Sequence, residues 1–439
     1  MQQPNQNHTR AIVIIGILFF VFGFITWLNG TLIPFLKLAC QLENDIQAFF
    51  VTSAFYMAYF FLAIPSSYIL KRTGFKNGMA LGLLVMAVGS IIFVPAANAR
   101  NFALFLTGLF VQGMGLALLQ TASNPYISIA GPIESAAKRI SIMGICNKVA
   151  GMLSPLIVGA LVLKNATAIE EQVLTATDEV TKNQLLDQLA GRVITPYVIM
   201  TVMLVLLAIF IKWSSLPEID VDKDEPTTAT AGPAKTSVFQ YSHLVLGVIC
   251  LFLYVGVEVL AGDAIGAYGR ELGMPLDETK YFTTFTLCAM LAGYIIGIIA
   301  IPKYISQQNA LAVSAVLGLI FSVGVFVTSG YVAITFIALL GLANALMWPA
   351  IFPLAIKGLG RFTKIGSALL IMGIAGGAIV PLLYTSLKDK GITSNQTAFL
   401  LCTVPAYAYI LYYALKGFAV GSQKKVMVEK SLHQDVVAN

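Results

Sequence analysis

Charged side chains are scarce in this chain of 439 residues, where they make up 11% of the sequence against 58% for hydrophobic residues. Soluble proteins carry about twice that charged fraction, and a soluble domain needs charge on its outer surface. The long uncharged stretches therefore exclude a set of ordinary soluble domains. They indicate a protein whose outer surface is covered by lipid.

Histidine is nearly absent, and the cysteines follow no recognisable pattern. The three histidines lie in polar ends or linkers, so the apolar runs carry no histidine metal site or proton relay. The five cysteines are odd in number and lack CxxC spacing, which argues against a disulfide framework and against a zinc site. We expect no metal and no cofactor. Without a nucleophile and base inside the apolar runs, we also do not expect an enzyme.

Apolar runs long enough to cross a bilayer recur along the whole chain. A transmembrane helix needs roughly 20 mostly apolar residues, and twelve such runs are separated by charged or turn-rich breaks. They lie near residues 11–36, 47–70, 77–97, 102–130, 140–163, 193–213, 244–268, 281–302, 309–328, 331–356, 363–387 and 396–415. The predicted fold class is therefore an all-α polytopic membrane protein with twelve transmembrane helices.

One connection is long enough to be a domain linker. Residues 214–243 hold five acidic side chains, three prolines and a Thr/Ala/Gly stretch, a composition typical of linkers. The linker divides the chain into two six-helix halves, residues 1–213 and 244–416, followed by a tail at 417–439. Short motifs recur in the same order in both halves, which indicates a duplicated unit. Parallel repeats of this kind place the substrate site near the membrane midplane between the halves.

Basic residues indicate the orientation. The net charge is +6, but Lys and Arg lie in short clusters between apolar runs and form no single basic face, so we expect no nucleic-acid partner. The side that holds both termini and the linker carries about twice as many Lys and Arg as the other side, which predicts that it is cytoplasmic. We expect a multi-pass protein with the lipid bilayer around it and both termini in the cytoplasm.

Ionisable side chains inside the predicted spans are the first candidates for function, because charge in lipid is costly. Lys148 lies in the fifth span, and Glu258 and Asp263 lie in the seventh. Opposite charges in the two halves predict an ion pair at a shared cavity, where a substrate or a coupling ion, Na⁺ or H⁺, competes for it. The alternatives are a structural lock and, for Asp263, a hydrated position near the end of the span.

Neutral polar residues form a second candidate set. Gln120 and Asn124 lie four residues apart and share a helix face, and Asn344 and Trp348 have the same spacing in the matching span. Amides supply donors and acceptors and an indole supplies an apolar face, a combination that suits a sugar. Four further residues would complete the lining with Tyr59: Trp27, Asn29, Asn147 and Tyr254. The alternative is hydrogen bonding between helices.

Four segments resemble signatures of the fucose:proton symporter family within the major facilitator superfamily. They are residues 19–34 (FFVFGFITWLNGTLIP), 119–126 (LQTASNPY), 254–259 (YVGVEV) and 344–353 (NALMWPAIFP). The resemblance implies the major facilitator fold, with twelve helices in two six-helix halves, and transport by alternating access. It also implies a small-molecule hexose as partner, a monomer, and a place in the bacterial inner (plasma) membrane.

The chain departs from the fucose symporters at three positions. Gly30 and Gln120 stand where those proteins have Asp and Glu, the acids associated with their proton coupling. Glutamine at this position resembles the branch of the family that transports glucose, galactose or N-acetylglucosamine, which has Gln there. Gly144 stands where the family commonly has Gln, which suggests a pocket enlarged for an N-acetyl group. Asp263 matches Gly30 between the halves and would supply the missing carboxylate.

These observations predict a secondary active transporter. We expect cation-coupled symport of a hexose such as glucose, galactose or N-acetylglucosamine. One alternative is a facilitated-diffusion sugar uniporter, in which Lys148 permanently neutralises Glu258. Another is a drug/proton antiporter of the same fold.

Overall fold

The structure is a computed structural model that describes residues 6–129, 136–176, 178–214, 216 and 236–420. For residues 6–11, 29, 30, 128, 129, 136, 137, 361 and 364 it describes the backbone alone. Most of the predicted linker and the predicted tail, the first five residues, and the side chain of Asn29 therefore lie outside the described part of the chain.

The described residues form helices and no strands. In the first half they are α1 (Gln6–Thr26), α2 (Asn29–Ala39), α3 (Asp45–Ile91), α4 (Phe93–Asn98), α5 (Phe102–Ile129), α6 (Ala136–Ser154), α7 (Ala160–Val162), α8 (Ala166–Thr175), α9 (Glu179–Gly191) and α10 (Ile194–Trp213). In the second half they are α11 (Ser242–Asp263), α12 (Ile265–Glu271), α13 (Leu276–Thr279), α14 (Phe282–Ala300), α15 (Gln307–Val327), α16 (Gly330–Asn344), α17 (Met347–Ile356), α18 (Thr363–Met372), α19 (Gly376–Asp389) and α20 (Asn395–Leu415).

Eleven helical stretches of the described chain are long and apolar enough to cross a membrane. The stretch Asp45–Asn98 contains two of the predicted spans, because α3 alone has 47 residues. At 1.5 Å per residue such a helix would measure about 70 Å, against roughly 30 Å for the hydrocarbon core. The chain turns at Gly74, whose φ of 75° is a conformation that glycine adopts without steric cost. The described residues thus contain twelve stretches that can span the membrane, as predicted.

Four spans are interrupted near their middle. The first span breaks between α1 and α2, and the tenth breaks between α16 and α17. A π-helical turn, Pro155–Gly159, follows α6, and a 3₁₀ turn, Gly373–Ala375, separates α18 from α19. Broken helices inside a membrane free backbone groups and are tolerated where they face protein or a cavity. The breaks therefore point to the interior of the bundle.

Glycines allow helices of the bundle to touch through their backbones. A Cβ atom placed on Gly376 of α19 would lie 1.8 Å from the backbone oxygen of Phe252 in α11. One placed on Gly113 of α5 would lie 2.2 Å from the backbone oxygen of Phe55 in α3. Small residues at such contacts are the usual means of close packing between membrane helices.

Polar contacts join the two halves at the end predicted to be extracytoplasmic. Arg270 of α12 donates to both carboxylate oxygens of Glu170 in α8, at 2.8 and 3.1 Å. Lys388 of α19 pairs with Asp45 of α3 and with Glu271, the latter at 2.7 Å. These ion pairs border a cavity of ≈ 380 Å³ between the halves. The two halves are therefore bridged at this end of the molecule.

Candidate functional site

A second cavity, of ≈ 90 Å³, lies deeper between the halves, and most of the predicted site residues line it. Its walls include eight of the predicted residues and Tyr59. The eight are Trp27, Gln120, Asn124, Asn147, Lys148, Tyr254, Glu258 and Trp348. Because these side chains come from the α1–α2 break, α3, α5 and α6 on one side and from α11 and α17 on the other, they form one site only when both halves are present. We call this space the central cavity.

A buried ion pair crosses the central cavity. Lys148 Nζ of α6 lies 2.9 Å from Glu258 Oε1 of α11. The two side chains are only 7% and 10% exposed. Removing both charges from water is costly, and the pair is stable only while each partner compensates the other. The structure thus brings together the two opposite charges that the sequence placed in different halves.

Trp27 links this ion pair to the polar lining. Lys148 Nζ lies 4.1 Å from the centre of the Trp27 ring, in the range of a cation–π interaction. The indole Nε1 donates a hydrogen bond of 3.2 Å to Asn147 Oδ1. Trp27 lies at the break between α1 and α2 and packs against two glycines, Gly151 and Gly262, where any Cβ would come within 2.5 Å of its ring. Its position is therefore tightly fixed.

Amides and hydroxyls line the wall formed by the first half. Gln120 Nε2 donates to the Tyr59 hydroxyl at 3.0 Å. Asn124 Nδ2 donates to the backbone oxygen of Gln120 at 3.1 Å. The predicted shared face of α5 is present, and an amide side chain carries two donors and two acceptor lone pairs. Such groups can exchange partners with the hydroxyls of a ligand.

Aromatic rings form the opposite wall. The rings of Tyr254 and Trp348 lie 6.5 Å apart between centres, and Trp348 stacks on Phe352 at 5.9 Å with an interplanar angle of 18°. Aromatic faces are suited to the apolar C–H face of a sugar ring. The central cavity therefore has a polar wall and an aromatic wall.

Asn344 does not line the central cavity. It is fully buried, and its Oδ1 accepts a hydrogen bond of 2.9 Å from the Tyr407 hydroxyl. The shared face expected from its four-residue spacing to Trp348 is lost, because α16 ends at Asn344 and α17 begins at Met347. Asn344 therefore joins α16 to α20 through a hydrogen bond, which is the alternative role considered for these amides in the sequence analysis.

Asp263 lies apart from Glu258, at the end of α11. It borders the larger cavity of ≈ 380 Å³ and is 1% exposed. Five residues of helix separate it from Glu258, about 7.5 Å along the axis.

Gly144 does not enlarge the central cavity, contrary to expectation. A Cβ atom on Gly144 would lie 2.6 Å from Cε1 of Tyr294, a residue of α14 in the other half. The Tyr294 ring thus fills the space that the glycine leaves. The sequence analysis missed Tyr294 and also Tyr56, both of which line the cavity. The sequence feature that could have identified both residues is a tyrosine hydroxyl within an otherwise apolar span.

Comparison with known proteins identifies the family. The sequence profile of the Major Facilitator Superfamily matches residues 15–383. This chain belongs to the Major Facilitator Superfamily. The resemblance drawn from the four motifs and the predicted fold are confirmed. As a member of this superfamily, the chain is a multi-pass membrane transporter and not an enzyme.

Relatives within the superfamily cover nearly the whole chain. A glucose/galactose transporter of Brucella abortus is 36% identical over 94% of this chain and 95% of its own length. The L-fucose-proton symporter of Escherichia coli is 29% identical over 86% of each chain. A crystal structure of the E. coli fucose:proton symporter superposes with a TM-score of 0.75 at 26% identity, covering 94% of this chain and 99% of that one.

Proposed function

We propose that this transporter takes up a hexose together with a proton, by alternating access of the central cavity. The observation that carries the proposal is the buried Lys148–Glu258 pair, which joins the two halves inside the cavity that holds the amide and aromatic walls. The relatives named glucose/galactose transporter and L-fucose-proton symporter support a sugar as the substrate.

The walls of the central cavity support an uncharged sugar. Gln120 and Asn147 offer amide groups to hydroxyls, and Trp348 offers a face to the sugar ring. A site built to hydrogen-bond hydroxyls discriminates strongly against ligands that lack them. Glucose and galactose, as in the names of the relatives, are the substrates that we propose first.

The ion pair supplies a route to coupling. A proton on Glu258 would remove the carboxylate charge, so that Lys148 would lose its partner and the contact between α6 and α11 would weaken. A proton needs no additional space, whereas Na⁺ needs several oxygen ligands and would compete with the Lys148 ammonium for the same carboxylate. This difference favours H⁺ over Na⁺ as the coupling ion.

A facilitated-diffusion sugar uniporter is the second candidate. The observation in its favour is the same pair, since Lys148 already neutralises Glu258 at 2.9 Å. A pair that never opens would leave no carboxylate to carry a proton. The two candidates differ in whether sugar accumulates against its gradient.

Orientation in the membrane, the boundaries of the two halves and the oligomeric state are part of the same proposal. The excess of Lys and Arg on one side supports cytoplasmic termini and a place in a bacterial-type inner membrane. The boundaries of the two halves, at 1–213 and 244–416, and a monomeric state complete the proposal.

Uptake by proteoliposomes tests the proposal. Labelled glucose, galactose, fucose and N-acetylglucosamine are offered with an imposed proton gradient, a sodium gradient or no gradient. We expect accumulation of glucose or galactose with the proton gradient alone. Equal equilibration under all three conditions would establish the uniporter, and drug-driven proton release without sugar uptake would establish an antiporter.

Glu258→Gln tests the coupling residue in the same assay. The amide keeps the shape of the side chain and removes the titratable charge, so we expect sugar to equilibrate but not accumulate. Glu179→Gln, in the exposed first turn of α9, is the matched control. Accumulation by Glu258→Gln at the level of the unaltered protein would exclude Glu258 from coupling.

A further inference from the structure

In the wall of the central cavity, one residue of the first half contacts one residue of the second half. Gly144 lies in α6 and Tyr294 lies in α14. A Cβ on Gly144 would lie 2.6 Å from Cε1, 2.7 Å from Cζ and 3.1 Å from the hydroxyl oxygen of Tyr294. Real Cβ atoms do not approach other atoms so closely. The ring therefore rests directly on the backbone of the other half.

The Tyr294 ring has little freedom to move. It is 4% exposed and packs in a buried cluster with Trp27, Leu287 and Met290. Trp27 is itself held between two glycines, as described above. A packed interior responds to added volume with strain because it contains few voids. The ring thus forms a rigid part of the cavity wall.

We propose that Tyr294 sets the size limit of the sugar site. By filling the space beside Gly144, its ring excludes hexoses that carry a bulky substituent, such as N-acetylated hexoses, and admits unsubstituted hexoses. The inference rests on the proposed transport of sugar through the central cavity. The same contact explains a glycine at position 144, because any side chain there would hold the two halves apart.

Uptake of two sugars of different size tests the size limit. The measured quantity is the ratio of N-acetylglucosamine uptake to glucose uptake in proteoliposomes. Tyr294→Leu keeps an apolar side chain but removes the ring, and we expect this ratio to rise roughly tenfold, the usual scale for opening or filling a small pocket. Tyr294→Phe keeps the bulk and should keep the low ratio. Tyr304→Leu is the matched control, since Tyr304 is 71% exposed.

Three results for the uptake ratio would overturn the proposal. They are an unaltered ratio in Tyr294→Leu, a raised ratio in Tyr294→Phe, and preferred uptake of N-acetylglucosamine by the unaltered protein. A Tyr294→Leu protein that inserts normally but carries no sugar would also contradict it, since removing bulk should not close the site. If the unaltered protein carries no hexose at all, the proposed function fails instead.

The contact itself is tested by a pair of substitutions. Gly144→Ala places a methyl group against the ring, and we expect uptake of glucose to fall at least about tenfold. Adding Tyr294→Leu to Gly144→Ala should restore part of that loss, because the methyl group then has room. Gly191→Ala is the matched control, since no atom lies within 4 Å of that position. Full uptake by Gly144→Ala, or no recovery in the double variant, would contradict the contact.

Discussion

Lys148 illustrates how a single residue depends on its partner. Its ammonium group is held by the Glu258 carboxylate at 2.9 Å and by the face of Trp27 at 4.1 Å. Both charged groups have lost almost all contact with water. A charge left alone in such a place costs far more than the pair itself contributes. The two residues should therefore behave as a unit toward substitution.

We expect Lys148→Ala to destabilise the protein by about 3–5 kcal/mol, because it leaves Glu258 without its partner. The double variant Lys148→Ala with Glu258→Gln removes both charges and should be more stable than Lys148→Ala alone. Thermal unfolding in detergent measures the difference, and the exposed Lys212→Ala is the control. Equal melting temperatures for Lys148→Ala and the double variant would show that the pair contributes no coupling.

A second prediction concerns Gln120. Its Nε2 donates a hydrogen bond of 3.0 Å to the Tyr59 hydroxyl, and a bound sugar hydroxyl would replace Tyr59 as the acceptor. Gln120→Ala should weaken glucose binding about fivefold to tenfold, the effect of losing one hydrogen bond of about 1 kcal/mol. Equilibrium binding of labelled glucose measures it against the exposed Gln172→Ala. An unaltered affinity would remove Gln120 from the site.

Sequence reasoning succeeded for residues that chemistry alone makes conspicuous and failed where position depends on helix breaks. Lys148 and Glu258 are charged residues in apolar spans. Their pairing across the halves follows from the high free energy of an unpaired charge inside a membrane. Asn344 was misplaced because the i, i+4 rule holds only within a continuous helix, and α16 ends at that residue. Tyr294 was missed because its importance comes from a glycine in the other half.

At the scale of helices, the length and hydropathy of the apolar runs predict the twelve spans. Their close packing depends on glycines at the contacts between helices. The contact between α19 and α11 is the tightest of this kind that we describe, with 1.8 Å between a Cβ on Gly376 and the Phe252 oxygen. The atom in the way is backbone, which cannot rotate aside. The 3₁₀ turn immediately before Gly376 also fixes where α19 begins.

Gly376→Ala should therefore separate α19 from α11 and lower stability by about 1–3 kcal/mol, the usual cost of overpacking. Thermal unfolding in detergent tests this directly. Gly191→Ala, in open space at the end of α9, introduces the same methyl group without a contact and should leave the melting temperature unaltered. Equal melting temperatures for the two variants would show that the Gly376 contact does not determine how α19 packs on α11.

At the scale of the whole molecule, transport requires the polar contacts between the halves to break and reform. Two of them involve the α8 segment, which lies between the fifth and sixth spans. Arg270 binds Glu170, and Thr167 of α8 meets Asp277 of α13. In the latter contact the backbone N–H of Asp277 donates to the Thr167 hydroxyl at 3.3 Å, and that of Thr167 donates to Asp277 Oδ2 at 3.4 Å. Opening of the entrance at this end of the molecule must separate both pairs.

A crosslink at this contact should arrest transport. Two cysteines in place of Thr167 and Asp277, in a background without the five native cysteines, would lie close enough to form a disulfide under mild oxidation. We expect sugar exchange across proteoliposome membranes to stop when the pair is oxidised and to recover on reduction. Each single-cysteine protein is the control, because oxidation should leave its exchange rate unaltered. Undiminished exchange with a complete crosslink would mean that substrate crosses without separating α8 from α13, which is incompatible with alternating access through this entrance.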